Sequence, residues 1–278
     1  MRNLLGLLPF FAFALLFLIL PTVDLMVGAF RDTEGAFTLG NLQALLEDNI
    51  LNAYWISIKI SAVSALGGSV LGSLLAWAAV MGRLPAWIRP TLMTFSGVAS
   101  NFAGVPLAFA FLATLGRMGL VTILLKAWFG FELYQTSFNV LSFIGLALTY
   151  LYFQIPLMVL IITPALDGMK KEWREACECL GGTSYHYWRY VALPVLWPSL
   201  LGAFLLLFAN AFGAVATAYA LTGSSLNIIP ILLYAQIRGD VLHNPHLGYA
   251  MAFGMVVVTG LANGGYLLLR SQAQRRSG

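Results

Sequence analysis

Charged side chains are scarce in this sequence: of its 278 residues, 9% are Asp, Glu, Lys or Arg, whereas 60% are hydrophobic. Soluble domains carry about 25% charged residues, so the composition excludes an ordinary soluble domain. Cysteine is nearly absent as well. Cys177 and Cys179 are separated by a single residue and cannot connect two elements of a fold. A Cys-x-Cys metal site would need further ligands, and His186 alone lies near, so we expect free thiols and no metal.

Long hydrophobic runs take up most of the chain. A membrane-spanning helix needs about 20 mostly apolar residues, and the sequence therefore predicts an all-α membrane protein with six transmembrane helices. The first run is longer than the apolar part of a signal peptide, so we expect an uncleaved span. Because spans and short connections use nearly all of the sequence, we expect one domain, residues 1–278. The predicted spans are Leu4–Phe30, Leu51–Val80, Thr91–Leu115, Val140–Thr163, Leu196–Leu221 and Leu247–Leu269.

Basic residues are divided unevenly between the two sides of these spans. If the odd-numbered spans run outward, ten cations lie on the inner side and four on the outer side. The positive-inside rule favours this orientation. We therefore expect a multi-pass protein of the bacterial inner (plasma) membrane, in contact with lipid, with both termini cytosolic. The net charge of +4 follows from this sorting and does not indicate nucleic acid. The inner cations are Arg2, Arg83, Arg89, Lys170, Lys171, Arg174, Arg189, Arg270, Arg275 and Arg276; the outer ones are Arg31, Arg117, Lys126 and Arg238.

Helix-packing and surface features are also visible. Gly68 and Gly72 in the second span have the G-x-x-x-G spacing that lets helix backbones approach closely, so this face should pack against another helix. The run GLVTILLKAWFG within 118–138 predicts a helix on the outer surface, because the segment is too short to cross the membrane again. Leu42, Leu45 and Leu46 predict a short amphipathic helix in the first outer loop.

A charged stretch, Leu166–Leu200, interrupts the apolar runs between the fourth and fifth spans, and we call it the polar segment. It holds four of the basic residues, four of the acids and both cysteines. From Met169 to Leu180 an apolar stripe recurs at helical spacing opposite charged positions, which predicts an amphipathic helix. Such a helix could lie on lipid or dock into a partner, and three glutamates favour the partner. We expect the stripe itself to dock. The stripe consists of Trp173, Ala176, Cys177 and Leu180.

The turn signals in the polar segment predict a second short helix. Gly181-Gly182 is typical of a helix C-terminus, and Thr183 or Ser184 would cap the next helix. Leu193-Pro194 would end that second helix.

These residues resemble a known loop. Glu175-Ala176-Cys177, followed by Gly181 and by Leu193-Pro194, is similar to the "EAA" loop of binding-protein-dependent ABC importer permeases. The match is ungapped from Glu175 to Pro194, and Cys177 in place of the second alanine is its clear departure. Six spans with this loop between the fourth and fifth also resemble the type I importer permease fold.

The resemblance implies that the loop, about 165–195, forms cytosolic coupling helices that dock on a separate ATPase. Glu175 would pair with a basic residue of that ATPase, and Gly181 would allow the turn between the helices. The implied partners are two ATP-binding cassette subunits, a second permease subunit (a related chain rather than a copy) and an extracytoplasmic solute-binding protein. ATP and Mg would bind the ATPase, and this chain would bind no cofactor. The implied ATPase-coupling residues are Trp173, Glu175, Ala176, Cys177, Leu180, Gly181, Leu193 and Pro194.

The sequence itself agrees with an energy source on another subunit. It contains no G-x-x-x-x-G-K-[ST] phosphate-binding loop, and the nearest glycine run, Gly181-Gly182-Thr183, lacks the lysine. The three histidines lie in predicted loops and form no cluster of catalytic groups, so we expect no catalytic residues and no enzyme. A secondary transporter would be expected to carry an acid inside a span, and the one acid there, Asp24, lies near a span end.

Uncharged polar residues within the spans are candidates for a solute path. Polar groups are costly inside a membrane and usually have a role, although an interhelical hydrogen bond is the alternative. For Tyr150 and Asn263 we favour the hydrogen bond. A path without charges suits weak cargo binding, with selection left to the binding protein. The predicted path residues are Asn101, Gln154, Asn210 and Tyr219.

The general look of the sequence, including FTLGNLQALLED and YLYFQIPLMVL, resembles the polyamine-type branch of these permeases. That resemblance implies a polyamine cargo such as putrescine or spermidine. Iron, phosphonate and thiamine permeases are the alternatives.

Overall fold

Helices make up nearly all of the regular structure. The computed structural model describes residues 9–32, 34–82, 84–136, 138–238 and 245–277, without the side chains of Arg238 and 269–277. In these ranges the extended structure is limited to one isolated bridge between Arg31 and Phe37. The helices are α1 (Pro9–Gly28), α2 (Gly40–Ala44), α3 (Asp48–Met81), α4 (Ile88–Asn101), α5 (Val105–Leu115), α6 (Leu120–Phe129), α7 (Phe143–Asp167), α8 (Lys171–Cys179), α9 (Ser184–Tyr187), α10 (Leu193–Phe212), α11 (Val215–Thr222), α12 (Ile229–Arg238) and α13 (Pro245–Ser277).

Six helical segments in the described ranges are long and apolar enough to cross a membrane, which confirms the predicted fold class. The first, second, fourth and sixth lie close to the predicted runs. Leu4 to residue 8, at the start of the first predicted span, lie outside the described residues. The six segments are Pro9–Gly28, Asp48–Met81, Val105–Phe129, Phe143–Asp167, Ser184–Phe212 and Pro245–Leu268.

The third predicted span, Thr91–Leu115, is not one continuous helix, and the third observed segment, Val105–Phe129, overlaps only its second half. Helix α4 stops at Asn101, and Phe102 leaves the helical region with φ −83° and ψ 86°. Gly104 then adopts φ +77°, a conformation that favours glycine. Pro106 stands in the first turn of α5, where its missing N–H has no helical partner to lose. Helix α6 follows, with no buried residue, and ends at Gly130 in the left-handed conformation. It belongs to the segment Val105–Phe129, so its place on the outer surface stays a prediction.

The fifth span also differs, at both of its ends. The helix was predicted over Leu196–Leu221, but α10 stops at Phe212 and α11 begins at Val215. At the other end, Leu193-Pro194 does not terminate the second short helix, so that prediction is wrong. A π-helical turn, Trp188–Ala192, joins α9 to α10, with the N–H of Leu193 donating to the carbonyl of Trp188. Proline cannot donate a hydrogen bond and crowds the preceding turn. The wider π turn accommodates it without ending the helix.

The described residues group into two compact units. The larger contains 57–226 and 259–278, and its buried core lies around α7, where Phe153, Met158 and Ile162 are each at most 2% exposed. The predicted glycine face of α3 packs here. A Cβ at Gly68 would lie 2.7 Å from Cβ of Gln154, and one at Gly72 would lie 2.5 Å from Cβ of Met158. The prediction of a close helix contact at these glycines is confirmed.

The smaller unit contains 1–56 and 227–258. The Tyr54 hydroxyl donates to the carbonyl of Met251 at 2.6 Å, and Phe30 meets Phe253 edge to face. The predicted short helix of the first outer loop is present as α2. Helix α12 was not predicted, although Ile229 and Ile231 on it are buried. That residues 1–278 form one domain stays a prediction.

Candidate functional site

The first helix of the polar segment, α8, ends in a Schellman motif. The N–H of Gly182 donates to the carbonyl of Cys177 at 2.9 Å, and the N–H of Gly181 donates to that of Glu178 at 3.0 Å. Gly181 has φ +79°, the left-handed conformation that this motif requires. The predicted turn at Gly181 is therefore present, and it reverses the chain sharply between the two short helices.

The second helix of the polar segment begins at a capping box. The side chains of Thr183 and His186 lie 2.8 Å apart, and the N–H of Thr183 donates to Nδ1 of His186 at 3.2 Å. Of the two predicted caps, Thr183 is the one used. From here the helical backbone continues through the π turn into the fifth span, so this helix is the N-terminal end of that span.

One side of α8 packs against its own chain. Trp173 and Cys177 are half-buried and contact a core cluster that includes Leu166, Met169 and Tyr187. The apolar stripe was expected to dock into the ATPase, but half of it is already occupied in this way. The other half is open, because Ala176 is exposed and Leu180 is 89% exposed. Trp173 and Cys177 therefore anchor α8 to the rest of the larger unit, and the docking of the stripe on an ATPase stays a prediction.

Glu175 lies on the opposite side of α8, about 160° round the helix from Trp173. It is exposed, as are Cys179 and Glu172 beside it. Arg174 and Glu178 pair with each other at 3.0 Å along the helix surface. The face that projects away from the anchored side is thus polar and acidic at its centre.

An open groove of about 530 Å³ lies along the edge of α8. Its walls come from α8 on one side and from the second short helix and the start of α10 on the other. The groove is mostly apolar, and Leu180 stands at its rim. A partner protein that docks on the exposed face of α8 at Glu175 could also place an apolar side chain in this groove. The lining residues are Trp173, Ala176, Cys177, Leu180, Gly181, Gly182, His186, Val191 and Val195.

The four predicted path residues fall into two groups. Asn101, Asn210 and Tyr219 are exposed, near the places where the third and fifth spans break. The Asn101 amide donates to the carbonyl of Gly97 at 2.8 Å, within its own helix. Gln154 is fully buried, and its Nε2 donates to Oγ of Ser64 at 3.2 Å. It forms an interhelical hydrogen bond, the alternative considered for such residues, and its place on the path stays a prediction.

Two helix breaks, 102–104 and 213–214, lie side by side. The N–H of Gly104 donates to Oγ1 of Thr217 at 2.7 Å, and Thr217 is 1% exposed. The hydroxyl of Tyr150 donates to the carbonyl of Ala214 at 3.1 Å, the interhelical bond expected of this residue. Each break is thus held by a single hydrogen bond from a neighbouring helix. The sequence reasoning missed Thr217 and Gly104, although Gly-x-Pro at 104–106 is a signal for a helix start.

No protein-family model matches the chain. It is 27% identical over 216 residues to a probable sulfate transport system permease protein, CysT, of Chlorella vulgaris, covering 76% of each chain. A CysT protein of Zygnema circumcarinatum is 28% identical over 199 residues, which is 69% of this chain but only 63% of that relative. The sulfate permease protein CysW of Escherichia coli is 25% identical over 228 residues, 82% of this chain and 70% of the relative.

Solved structures of low sequence identity share the fold. A bacterial ABC transporter that imports the acidic polysaccharide alginate contains a chain with a TM-score of 0.72 and 16% identity, covering 99% of this chain and 95% of that one. A chain of the methionine transporter MetNI, in an inward-facing conformation, has a TM-score of 0.55 and 18% identity, covering 83% of this chain and 97% of that chain. This chain has the type I ABC importer permease fold. Its relatives are sulfate permeases, and the comparisons do not support the polyamine branch.

Proposed function

We propose that this chain is a permease subunit of an ATP-driven importer. It couples to the ATPase through the exposed, polar face of α8. The observation that carries the proposal is the two-sided placement of this helix. Trp173 and Cys177 fix it to the membrane domain, while Glu175 projects away from it. If the ATPase displaces α8, the displacement would therefore be transmitted to the membrane helices.

The partners follow from this role. Two ATPase subunits would supply ATP hydrolysis with Mg, a second permease subunit would complete the path, and an extracytoplasmic binding protein would deliver the solute. A solved alginate transporter was crystallised with its periplasmic binding protein carrying an alginate pentasaccharide. The inner-membrane location and the cytosolic termini belong to the same proposal.

For the cargo we propose a small oxyanion of the sulfate class, in place of a polyamine. The named activity of the relatives is the reason for this choice. The exposed candidates Asn101, Asn210 and Tyr219 bring hydrogen-bonding groups and no carboxylate, whereas a polyamine would favour acidic groups.

The coupling role is tested by replacing Glu175 with alanine. An ion pair buried on docking costs about 3–5 kcal/mol when one partner is removed, so Glu175→Ala should weaken copurification of the ATPase at least tenfold. Thermal stability should not change, because the side chain is exposed and makes no contact that holds the fold. The matched control is Glu47→Ala, which removes an exposed acid in the first outer loop. The ATPase should copurify normally with this variant. Normal assembly and transport in Glu175→Ala would refute the coupling role.

The cargo is tested separately in vesicles that contain the permease, the ATPase and the binding protein of the same system. Radiolabelled sulfate should accumulate with ATP, and radiolabelled putrescine should not. Uptake of putrescine alone would restore the polyamine interpretation and leave the permease assignment intact.

A further inference from the structure

An ion pair joins the polar segment to α4. Nη2 of Arg89 lies 2.6 Å from Oδ2 of Asp167. Arg89 is in the first turn of α4, and Asp167 is the last residue of α7, four positions before α8 begins. The pair thus connects the root of the polar segment to a helix that is 78 residues away in sequence.

The same two helices are packed along their lengths. One turn further in, the Thr163 hydroxyl approaches the sulfur of Met93 at 3.8 Å. Helix α4 has 14 residues, about 20 Å at 1.5 Å per residue, and its far end leads into the break whose Gly104 N–H is bonded to Thr217. One rigid element therefore runs from the polar segment to the two helix breaks.

Folding stability does not explain the pair. The side chains of Arg89 and Asp167 are 45% and 41% exposed, and ion pairs so exposed contribute little to stability. An aspartate at a helix C-terminus is also unfavourable, because that end of the helix dipole is negative. Asp167 therefore has a local cost that its partner Arg89 on α4 offsets.

We propose that Arg89 and Asp167 are positioning residues that transmit movement of the polar segment through α4 to the breaks at Gly104 and Thr217. This inference rests on the proposed function as an ATP-driven permease. When α8 moves with the ATPase, Asp167 moves with it, and the ion pair moves the start of α4. Without the ion pair, ATP hydrolysis continues, but less of the movement of α8 reaches the two helix breaks.

The first test measures solute transported per ATP hydrolysed in vesicles containing the whole complex. Mutations between coupled sites change coupling by about 2- to 30-fold, so Arg89→Gln and Asp167→Asn should each lower this ratio within that range. The reversed pair, Arg89→Asp with Asp167→Arg, should recover most of the loss. Glu132→Gln is the matched control, because it removes a similarly exposed pair with Lys126, 2.8 Å apart, far along the chain from the polar segment. A wild-type ratio in both single variants, or no recovery in the reversed pair, would overturn the proposal.

The second test does not depend on the identity of the solute. Ala216 is exposed and lies beside Gly104, where a Cβ would be 3.8 Å from that of Ala216. A single cysteine, Ala216→Cys, in a Cys177→Ser and Cys179→Ser background should change its labelling rate when ATP is added to the complex. Arg89→Gln should abolish most of that change, and the reversed pair should restore it.

The outcomes separate the two proposals. If no ATPase copurifies with the unmodified chain, the proposed function fails and this inference fails with it. If the ATPase copurifies and ATP changes the labelling of Ala216→Cys equally with and without Arg89→Gln, the permease assignment stands and the relay through α4 is wrong.

Discussion

Replacing Gly72 by alanine tests the closest helix contact in the larger unit. A Cβ at this position would lie 2.5 Å from Cβ of Met158 and 2.7 Å from the carbonyl oxygen of Ile155. The second of these atoms is backbone, so the clash cannot be relieved by a change of rotamer, and α3 and α7 must separate. Overpacking of this kind costs about 1–3 kcal/mol. For a chain of this size that is a fall in Tm of about 2–4 °C per kcal/mol.

Gly97 provides the matched control. It also lies within a helix of the larger unit, but a Cβ there would meet no atom within 4 Å. Gly97→Ala should therefore raise stability slightly, by up to about 1 kcal/mol, because alanine is the better helix former. The assay is thermal unfolding of the purified protein in one detergent, followed by loss of the monodisperse peak. If Gly72→Ala is as stable as the parent, or Gly97→Ala loses as much as Gly72→Ala, the close packing of α3 on α7 is wrong.

Two further predictions concern the breaks and the native thiols. Thr217→Val should keep the shape of the side chain but leave the Gly104 N–H without its acceptor, which costs about 1–3 kcal/mol for a buried donor; Thr217→Ser should retain most of the stability in the same unfolding assay, and equal losses in both variants would show that the methyl group matters instead. Cytosolic maleimide should label exposed Cys179 faster than half-buried Cys177, and the ATPase should protect Cys179 more. Labelling of either thiol from the outer side would overturn the topology, and stronger protection of Cys177 would return the docking role to the apolar stripe.

The polar segment could be predicted well because its signals are local. Gly181 is needed where the chain adopts a positive φ, and Thr183 is needed where a helix begins, so each residue type reports its own backbone conformation. The docking face of α8 could not be predicted in the same way. An amphipathic pattern shows that Trp173 and Cys177 are covered, but not whether their own chain or a partner covers them.

The interruptions of the third and fifth spans were missed for a different reason. Ser100 and Asn101 precede the first break, but the residues around both breaks are otherwise mostly apolar, so hydropathy alone does not mark 102–104 and 213–214 as interruptions. The groups that stabilise the breaks come from other parts of the fold: Thr217 accepts from the Gly104 N–H, and Tyr150 donates to the carbonyl of Ala214. At Pro194 the error was the opposite one: a helix end was predicted, but the helix continues. A π turn accommodates the proline, which normally ends a helix.

The π turn has a mechanical consequence for the fifth span. Because it keeps the helix continuous, Ser184–Phe212 is a single lever of 29 residues, roughly 44 Å long at 1.5 Å per residue. In the proposed importer the N-terminal end of this helix would face the ATPase, and its other end is followed by Gly213, in the break. A tilt of about 5° would displace the far end by roughly 4 Å over that length, which is comparable to the spacing of atoms in contact. In the proposed importer, small rotations at the N-terminal end of this helix would therefore be sufficient to separate the helix ends at the break.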